Sequence, residues 1–188
     1  MSDKYFINAY LKDFSSLLQP NEDIVNKIIS IRDALVDTKK NNNKVMIFGN
    51  GGSAAIASHV SVDLTKNAKI RSVNLNEADL ITCFANDYGF ERWVEKAIDF
   101  YGNDGDLLIL ISSSGQSENM LNGVKAARNA NFKSVVTLSG FAKDNPLSQL
   151  GDINLWLDSR AYNFVESVHQ IWLLTIVDLI IGSREYSA

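Results

Sequence analysis

The sequence contains few of the residues that stabilise small secreted domains or build metal clusters. Among 188 residues it has one cysteine, two histidines and two prolines. A single cysteine allows no internal disulfide, and such sparse cysteine usage is typical of a reducing compartment. We interpret Cys83, which lies in the apolar segment 80–84, as a small buried thiol rather than a nucleophile.

Excess basic charge and long apolar runs are also missing. The 18 Lys and Arg residues are outnumbered by 22 Asp and Glu residues, so the net charge is −4, and we expect no direct nucleic-acid partner. No run of about 18 consecutive apolar residues is present, and residues 1–5 lack a signal-peptide core, so we expect no membrane partner and a cytoplasmic location. With 46% apolar residues, the chain is expected to form one domain over residues 1–188.

The order of apolar patterns predicts an α/β protein. Helical spacing over 3–18 and 22–40 precedes any strand and predicts an antiparallel helical pair within residues 1–42, used in oligomerisation. The rest of the chain alternates short apolar runs with helical stretches, which predicts a three-layer, doubly wound, five-stranded parallel sheet. The strands are expected near 44–48, 70–75, 106–111, 134–139 and 152–157, and the helices near 53–65, 78–85, 90–101, 117–130 and 143–149.

The last predicted helix, residues 162–182, is apolar on nearly all sides. Such a helix must be buried on more than one side, and in a chain of this length a second subunit is expected to supply part of that burial. The pattern therefore favours a helical oligomer core.

Two loops that follow apolar runs are rich in glycine and serine. The first is Gly49-Asn50-Gly51-Gly52-Ser53, and the second runs from Ser112 to Ser117 with four serines among six residues. A strand that turns into a helix through such residues presents backbone N–H groups and hydroxyl donors to phosphate. Neither a Gly-x-Gly-x-x-Gly nor a Gly-Lys-Ser/Thr motif is present, so no nucleotide cofactor is predicted. The loops predict a phosphorylated, polyhydroxylated ligand, namely a phosphorylated sugar.

These loops, together with Ala-Asn-Asp-Tyr-Gly-Phe at 85–90 and Thr-Leu-Ser-Gly at 137–140, resemble the sugar isomerase (SIS) domains, specifically the phosphoheptose isomerase group. The resemblance implies a flavodoxin-like core and a homotetramer, or a dimer, with sites at subunit interfaces. It also implies conversion of sedoheptulose 7-phosphate to D-glycero-D-manno-heptose 7-phosphate for lipopolysaccharide or capsule synthesis. The substrate-binding residues it implies are Asn50, Gly51, Gly52, Ser53, Asn86, Asp87, Ser112, Ser113, Ser114 and Ser117, of which the serines hold the phosphate, while Asn50 and Asp87 meet sugar hydroxyls.

The chain departs from the resembled family at its catalytic positions. The family takes its base and acid from a glutamate on the helix after the first loop and a histidine on the last helix. Some members hold zinc through these two residues, a preceding histidine and a glutamine. His59 matches the preceding histidine, Asp63 stands in place of the glutamate, Glu166 in place of the glutamine and Leu174 in place of the last-helix histidine. Leucine neither accepts a proton nor binds zinc.

A different constellation remains available in the sequence. His59 and Asp63 are four residues apart, and Glu166 and His169 three apart, so each pair shares one face of a helix. They could bind zinc through His59, Asp63 and Glu166, or supply an acid–base pair without metal. The leading hypothesis takes Asp63 as the base, with His59, Glu166 and His169 as further catalytic residues. His169 equally fits a hydrogen-bonded core residue.

Three functions follow from these features. The first is a phosphosugar isomerase of the phosphoheptose type. The second, favoured by Leu174, is a non-catalytic phosphosugar-binding or protein-scaffold tetramer, like the relative of this fold that associates with a replication initiator. The third is an isomerase of another phosphosugar, which would explain the altered catalytic positions.

Overall fold

A single parallel sheet organises the chain. In the computed structural model, which describes residues 2–19 and 21–185, its five strands lie in the order β2-β1-β3-β4-β5. The strands are β1 (Val45–Gly49), β2 (Ser72–Val73), β3 (Leu107–Ser112), β4 (Ser134–Ser139) and β5 (Ile153–Trp156). The helices are α1 (Asp3–Leu17), α2 (Glu22–Lys40), α3 (Gly52–Lys66), α4 (Ala78–Tyr88), α5 (Trp93–Tyr101), α6 (Glu118–Asn129) and α7 (Tyr162–Ile181). The predicted doubly wound α/β fold is confirmed.

The central strands are buried on both faces because helices cover each side of the sheet. Every residue of β1 and β3 is buried. Along β1, Ile47 points into a core shared with α2, α3 and α7, whereas Phe48 points into a second core shared with α5 and α6. This alternation is the period of two that strand geometry imposes. It divides the protein into three layers.

Two elements differ from their predicted extent. The strand predicted over 70–75 contains two residues, because Lys69 and Leu75 on either side have φ angles of +58° and +49°. Such left-handed backbone cannot continue a strand. The helix predicted over 143–149 is a short 3-10 helix, Pro146–Gln149, with proline at its first turn, where a missing N–H costs nothing.

Helix α1 does not lie along α2 as the predicted antiparallel pair. The apolar stripe of α2 packs against the sheet and α7, whereas Val25 and Ile29 of α2 are exposed. Instead, the rings of Tyr10 and Phe14 pack against Phe164 of α7 at centroid distances of 4.6 and 5.6 Å. No residue of α1 is buried, and Tyr5, Phe6 and Leu11 are more than half exposed.

Helix α7 packs against α2 and α3 through one face, which includes Val165, Val168 and Trp172. Within the described residues it is the one helix long and apolar enough, by length and composition, to cross a membrane, and 39% of its most apolar window is buried. Two of its other apolar side chains, Ile171 and Leu179, are exposed. Helices α2 and α3 thus cover one side of α7, and the other side is exposed.

Candidate functional site

The first glycine-rich loop turns β1 directly into α3. Gly51 has a φ of +55° and stands at the N-cap of α3, where no side chain caps the helix. A Cβ at Gly49 would lie 2.5 Å from the backbone of Ser53. The tight turn therefore needs glycine at both positions, and it leaves the start of α3 open towards the cleft.

The second loop brings its serines to the carboxyl end of β3. The Ser112 and Ser117 hydroxyls lie 3.1 Å apart, and the sharp turn between them uses Gly115 at a φ of +65°. Ser117 precedes α6 as its N-cap residue, but its side chain makes no capping bond. The buried Ser113 hydroxyl has no hydrogen-bond partner among residues 2–19 and 21–185. A buried hydroxyl without a partner is costly, so this group fits a ligand oxygen.

A reciprocal amide pair joins the two loops. Asn50 Nδ2 donates to Asn119 Oδ1 at 3.1 Å, and Asn119 Nδ2 donates to Asn50 Oδ1 at 2.8 Å. Asn119 is 2% exposed on α6 and was missed at the sequence level. The amide of Asn50, expected to meet sugar hydroxyls, is thus already engaged in holding the loops together. The paired amides fix the distance between the two loops.

Asn145 braces the second loop from behind. Its buried amide donates to the Ser139 hydroxyl at 3.1 Å and to the Ala142 carbonyl at 2.7 Å. A Cβ at Gly115 would overlap the Asn145 amide oxygen, so only glycine lets the loop approach this closely. One signal in the sequence marks Asn145, an Asn-Pro pair that starts a turn, but no pattern links it to the second loop.

The serines of both loops line one cleft of about 220 Å³, here called the serine pocket. Its walls are Asn50, Ser53, Ile111, Ser112, Ser113, Ser114, Ser117, Tyr162 and Glu166. The structure thus brings together the five serines that the sequence singled out. The opening helices α3 and α6 add two positive dipole ends, as an anion requires.

A second cleft of about 440 Å³, here called the histidine pocket, lies between α3 and α7. Its walls include His59, Glu166, Asn163, Ser167 and Gln170. Glu166 belongs to both pockets, so the two clefts meet at its side chain. Its carboxylate lies against Gly52, where any Cβ would overlap it, and the positive end of α3 favours this negative charge.

His59 is held between two neighbours. Its Nε2 lies 3.4 Å from Asp63 Oδ2, and its Nδ1 lies 3.0 Å from the amide nitrogen of Gln170. Asp63 also accepts a bond from Asn67 at 3.1 Å. In the described chain Asp63 lies behind His59 and outside both pockets, so the geometry does not support the prediction that Asp63 is the base. Gln170 was missed, although it follows Glu166 by one turn on the same helical face.

His169 is separated from the predicted catalytic group. It is fully buried, its Nε2 lies 3.1 Å from the Ser139 carbonyl oxygen, and its ring packs near Trp172. Burial lowers the pKa of His169 to about 4, and the hydrogen bond to Ser139 opposes this only in part. The prediction of a catalytic role does not fit this position, because the ring lines neither pocket. The alternative of a hydrogen-bonded core histidine does.

The predicted zinc ligands are not assembled. Across residues 2–19 and 21–185, no group of three or more His, Cys, Asp or Glu side chains is placed to hold a metal ion. Both ring nitrogens of His59 are also occupied by neighbours. The residues present therefore do not fit the zinc site that the sequence suggested.

Three positions predicted from the sequence lie elsewhere. Asn86 and Asp87 are exposed on α4, bonded to each other at 2.9 Å, and they line neither pocket in the described chain. Cys83 is exposed on the same helix, with its sulfur 3.7 Å from Asp87, so the expectation of a buried thiol is wrong. No residue of α4 is buried, because its apolar face meets the core only in part.

Leu174 occupies α7 eight residues after Glu166, about 12 Å further from the serine pocket. It is partly buried and packs against the core that β1 shares with α2, α3 and α7. The side chain contributes apolar packing only.

Comparison with known proteins fits this site. Residues 9–140 match the model of the SIS domain family. A phosphoheptose isomerase from Aliarcobacter butzleri is 33% identical over 186 residues, covering 92% of this chain and 96% of that protein. The structure of a phosphoheptose isomerase from Neisseria gonorrhoeae superimposes with a TM-score of 0.88 at 26% identity, covering 96% of this chain and all of the other. One from Francisella tularensis does so with a TM-score of 0.86 at 27% identity. The chain belongs to the SIS domain family, within the phosphoheptose isomerase group.

Proposed function

We propose that this protein is an aldose–ketose isomerase that converts sedoheptulose 7-phosphate to D-glycero-D-manno-heptose 7-phosphate, for lipopolysaccharide or capsule synthesis. One observation carries the proposal: the serine pocket, suited to phosphate, and the histidine pocket, suited to proton transfer, meet at Glu166. A phosphorylated sugar bound by its phosphate among the serines would extend past Glu166 towards His59. Family membership supports the same reaction.

The reaction needs a base for carbon and a carrier for the hydroxyl proton. A base removes one proton from C1 of the ketose while the C2 oxygen gains a proton, which gives an enediol. The same base then returns its proton to C2 while the C1 hydroxyl loses its proton, which gives the aldose. No proton is gained or lost overall.

The geometry supports Glu166 as the carbon base and His59 as the hydroxyl proton carrier. Glu166 is the one carboxylate that lines both pockets of the described chain, whereas Asp63 reaches the cleft only through His59. A carboxylate base beside a neutral imidazole is an arrangement known to run this type of isomerisation. Asp63 then stabilises the imidazolium that forms. Since the zinc ligands do not assemble, no step is assigned to a metal.

The test is turnover of sedoheptulose 7-phosphate by the purified protein, followed as aldose formed. We expect Glu166→Gln to lower kcat by about a hundredfold or more, because it removes the base and preserves its shape. Glu22→Gln, a matched change on the exposed start of α2, should leave kcat unchanged. Wild-type protein without turnover, beside an active relative under the same conditions, would refute the proposal, and turnover of another ketose phosphate alone would reassign the substrate.

A second function is favoured by Leu174, which removes the family's last-helix histidine. In this alternative, the protein binds a phosphosugar without converting it, or serves as a scaffold for a protein partner. A phosphosugar that raises the melting temperature and is recovered unchanged would support a sensor. A stable complex with a protein partner that is insensitive to the sugar would support a scaffold.

We further propose that the chain, one domain over residues 1–188, forms a homotetramer or a dimer in the cytoplasm. The support is the exposed apolar surface of α1, with Tyr5, Phe6 and Ile7, and of α7, with Ile171 and Leu179. Such surface is typical of an oligomer interface. Light scattering on the protein as it elutes from a size-exclusion column measures the mass of the particle in solution. A monomer at micromolar concentration would contradict the proposal.

A further inference from the structure

We propose that Gln170 is a positioning residue that fixes the tautomer of His59 and keeps its Nδ1 lone pair at the histidine pocket. This inference rests on the proposed function above and extends it to a residue that has no such role in the family resemblance. The contact that carries it is the 3.0 Å approach of the Gln170 amide nitrogen to His59 Nδ1. Both residues line the histidine pocket, beside Glu166.

The hydrogen-bonding capacities of the three groups permit one consistent arrangement. A neutral imidazole carries one N–H donor and one acceptor lone pair, and an ionised carboxylate only accepts. The negative charge of Asp63, whose Oδ2 lies 3.4 Å from His59 Nε2, favours the ring proton on Nε2. Nδ1 then carries the lone pair, and the Gln170 N–H is the donor that meets it. The amide oxygen in that place would face a lone pair and repel it.

Asp63 is itself oriented for this task. The Asn67 amide donates to Asp63 Oδ1 at 3.1 Å, which leaves Oδ2 for the histidine. Asp63 and its amide partner are both on or next to the last turn of α3, so the helix sets their spacing. Gln170 lies on α7, and its bond to His59 is therefore made across the interface of two helices. The chain Asn67–Asp63–His59–Gln170 fixes the ring from both sides.

This arrangement prepares His59 for one step of the isomerisation. A substrate hydroxyl that enters the histidine pocket takes the place of the Gln170 amide as the donor to Nδ1. Its proton passes to Nδ1, the imidazolium that results keeps its Nε2–H on Asp63, and the proton then returns to the neighbouring substrate oxygen. One O–H bond breaks and another forms, so the step balances without a further reactant. In the opposite tautomer an N–H would face the hydroxyl, and the ring could not take its proton.

The tautomer can be measured directly, because the chain has only two histidines. Nitrogen-15 spectra of the imidazole rings distinguish an N–H nitrogen from one with a lone pair, and His169→Gln assigns the remaining signal to His59. We expect the Nε2–H form in the wild type. Gln170→Met, which keeps the length and removes the donor, should give a mixture of tautomers, and Gln170→Glu should place a proton on Nδ1. An unchanged His59 spectrum in both variants would overturn the inference.

Kinetics test whether the tautomer matters for turnover. Gln170→Met should lower kcat by about tenfold while KM changes by less than about threefold, since the amide orders the ring rather than holding the sugar. Gln149→Met, at an exposed glutamine bonded to Ser148, is the matched control and should match the wild type. An unchanged melting temperature shows that the Gln170 variant is folded.

The positioning role of Gln170 and the isomerase activity can be refuted separately. An active wild type whose kcat does not respond to Gln170→Met, or whose His59 spectrum does not, overturns the positioning role alone. A wild type without turnover overturns the proposed isomerase activity. It then also overturns a catalytic role for the contact between Gln170 and His59, whatever the nitrogen-15 spectrum shows.

Discussion

The buried His169 makes the stability of this protein depend on pH. The substitution His169→Gln separates its contribution from that of the other titrating groups. Burial lowers its pKa in the folded state from 6.5 to about 4. In the unfolded chain the ring is in water and takes up a proton as the pH falls through about 6.5. Between these two values the unfolded state binds one more proton than the folded state, so stability decreases as the pH is lowered. Above pH 6.5 the His169 ring is neutral in both states, and it no longer lowers the free energy of unfolding.

The size of the effect follows from the shift. Each pKa unit corresponds to about 1.4 kcal/mol, so a lowering from 6.5 to about 4 costs the folded state about 3 kcal/mol between these pH values. That is a large part of the free energy of unfolding of a typical domain, which is roughly 5–15 kcal/mol. His169→Gln removes the titrating ring and retains an N–H donor for the Ser139 carbonyl.

Urea unfolding of both proteins at fixed protein concentration, from pH 7.5 down to pH 4, measures the difference. The fixed concentration is needed because association also contributes to apparent stability. Other titrating groups are common to the two proteins and cancel in the comparison. The wild type should lose about 3 kcal/mol more than His169→Gln over this range. If the free energies of unfolding of the two proteins fall in parallel with pH, His169 titrates alike in the folded and unfolded states. That result would refute a pKa lowered by burial.

Three further perturbations test the site. Asn119→Leu leaves the Asn50 amide without its partner. The free energy of unfolding, measured with urea, should fall by about 1–3 kcal/mol, and KM should rise. An unchanged KM would contradict the role of the pair in spacing the loops. Gly52→Ala forces Glu166 to move and should lower kcat by about a hundredfold, measured against Ala78→Gly at the exposed start of α4, which should leave kcat unchanged. Treatment with EDTA should leave turnover within about twofold, because the zinc ligands are not assembled, and loss of activity restored by zinc alone would contradict this.

The central strands of the sheet could be predicted from the sequence because each strand is marked by a local apolar run. Residues 107–111 form an uninterrupted apolar run that ends at Ser112, and the observed strand β3 is Leu107–Ser112. The edge strand was overestimated because the positive φ angles of Lys69 and Leu75 depend on neighbouring contacts rather than on residue type. Neither residue is of a type enriched in left-handed backbone, so no sequence signal marked the ends of the strand.

Contacts between residues of different helices and strands are the part of the site that the sequence does not predict. The five serines could be predicted because strand ends meet at one edge of a parallel sheet. The pairing of Asn50 with Asn119 joins residues 69 positions apart, and neither amide has a local pattern that names its partner. Likewise, His59 and Gln170 meet across α3 and α7, 111 residues apart. Such pairs depend on the crossing of two helices, which periodicity alone does not determine.

The loss of the last-helix histidine need not mean the loss of the reaction. The isomerisation requires one carbon base and one hydroxyl proton carrier, and it does not require either on a given turn of α7. Leu174 is about 12 Å along the helix from Glu166, whereas Glu166 itself lies where the two pockets meet. At the position where the resembled family has an amide, this chain has a carboxylate beside the serine pocket, and we propose it as the base. The two substitutions are therefore best understood together, as a proton-transfer group of α7 that has moved by two helical turns rather than been lost, and the variant Glu166→Gln distinguishes these alternatives.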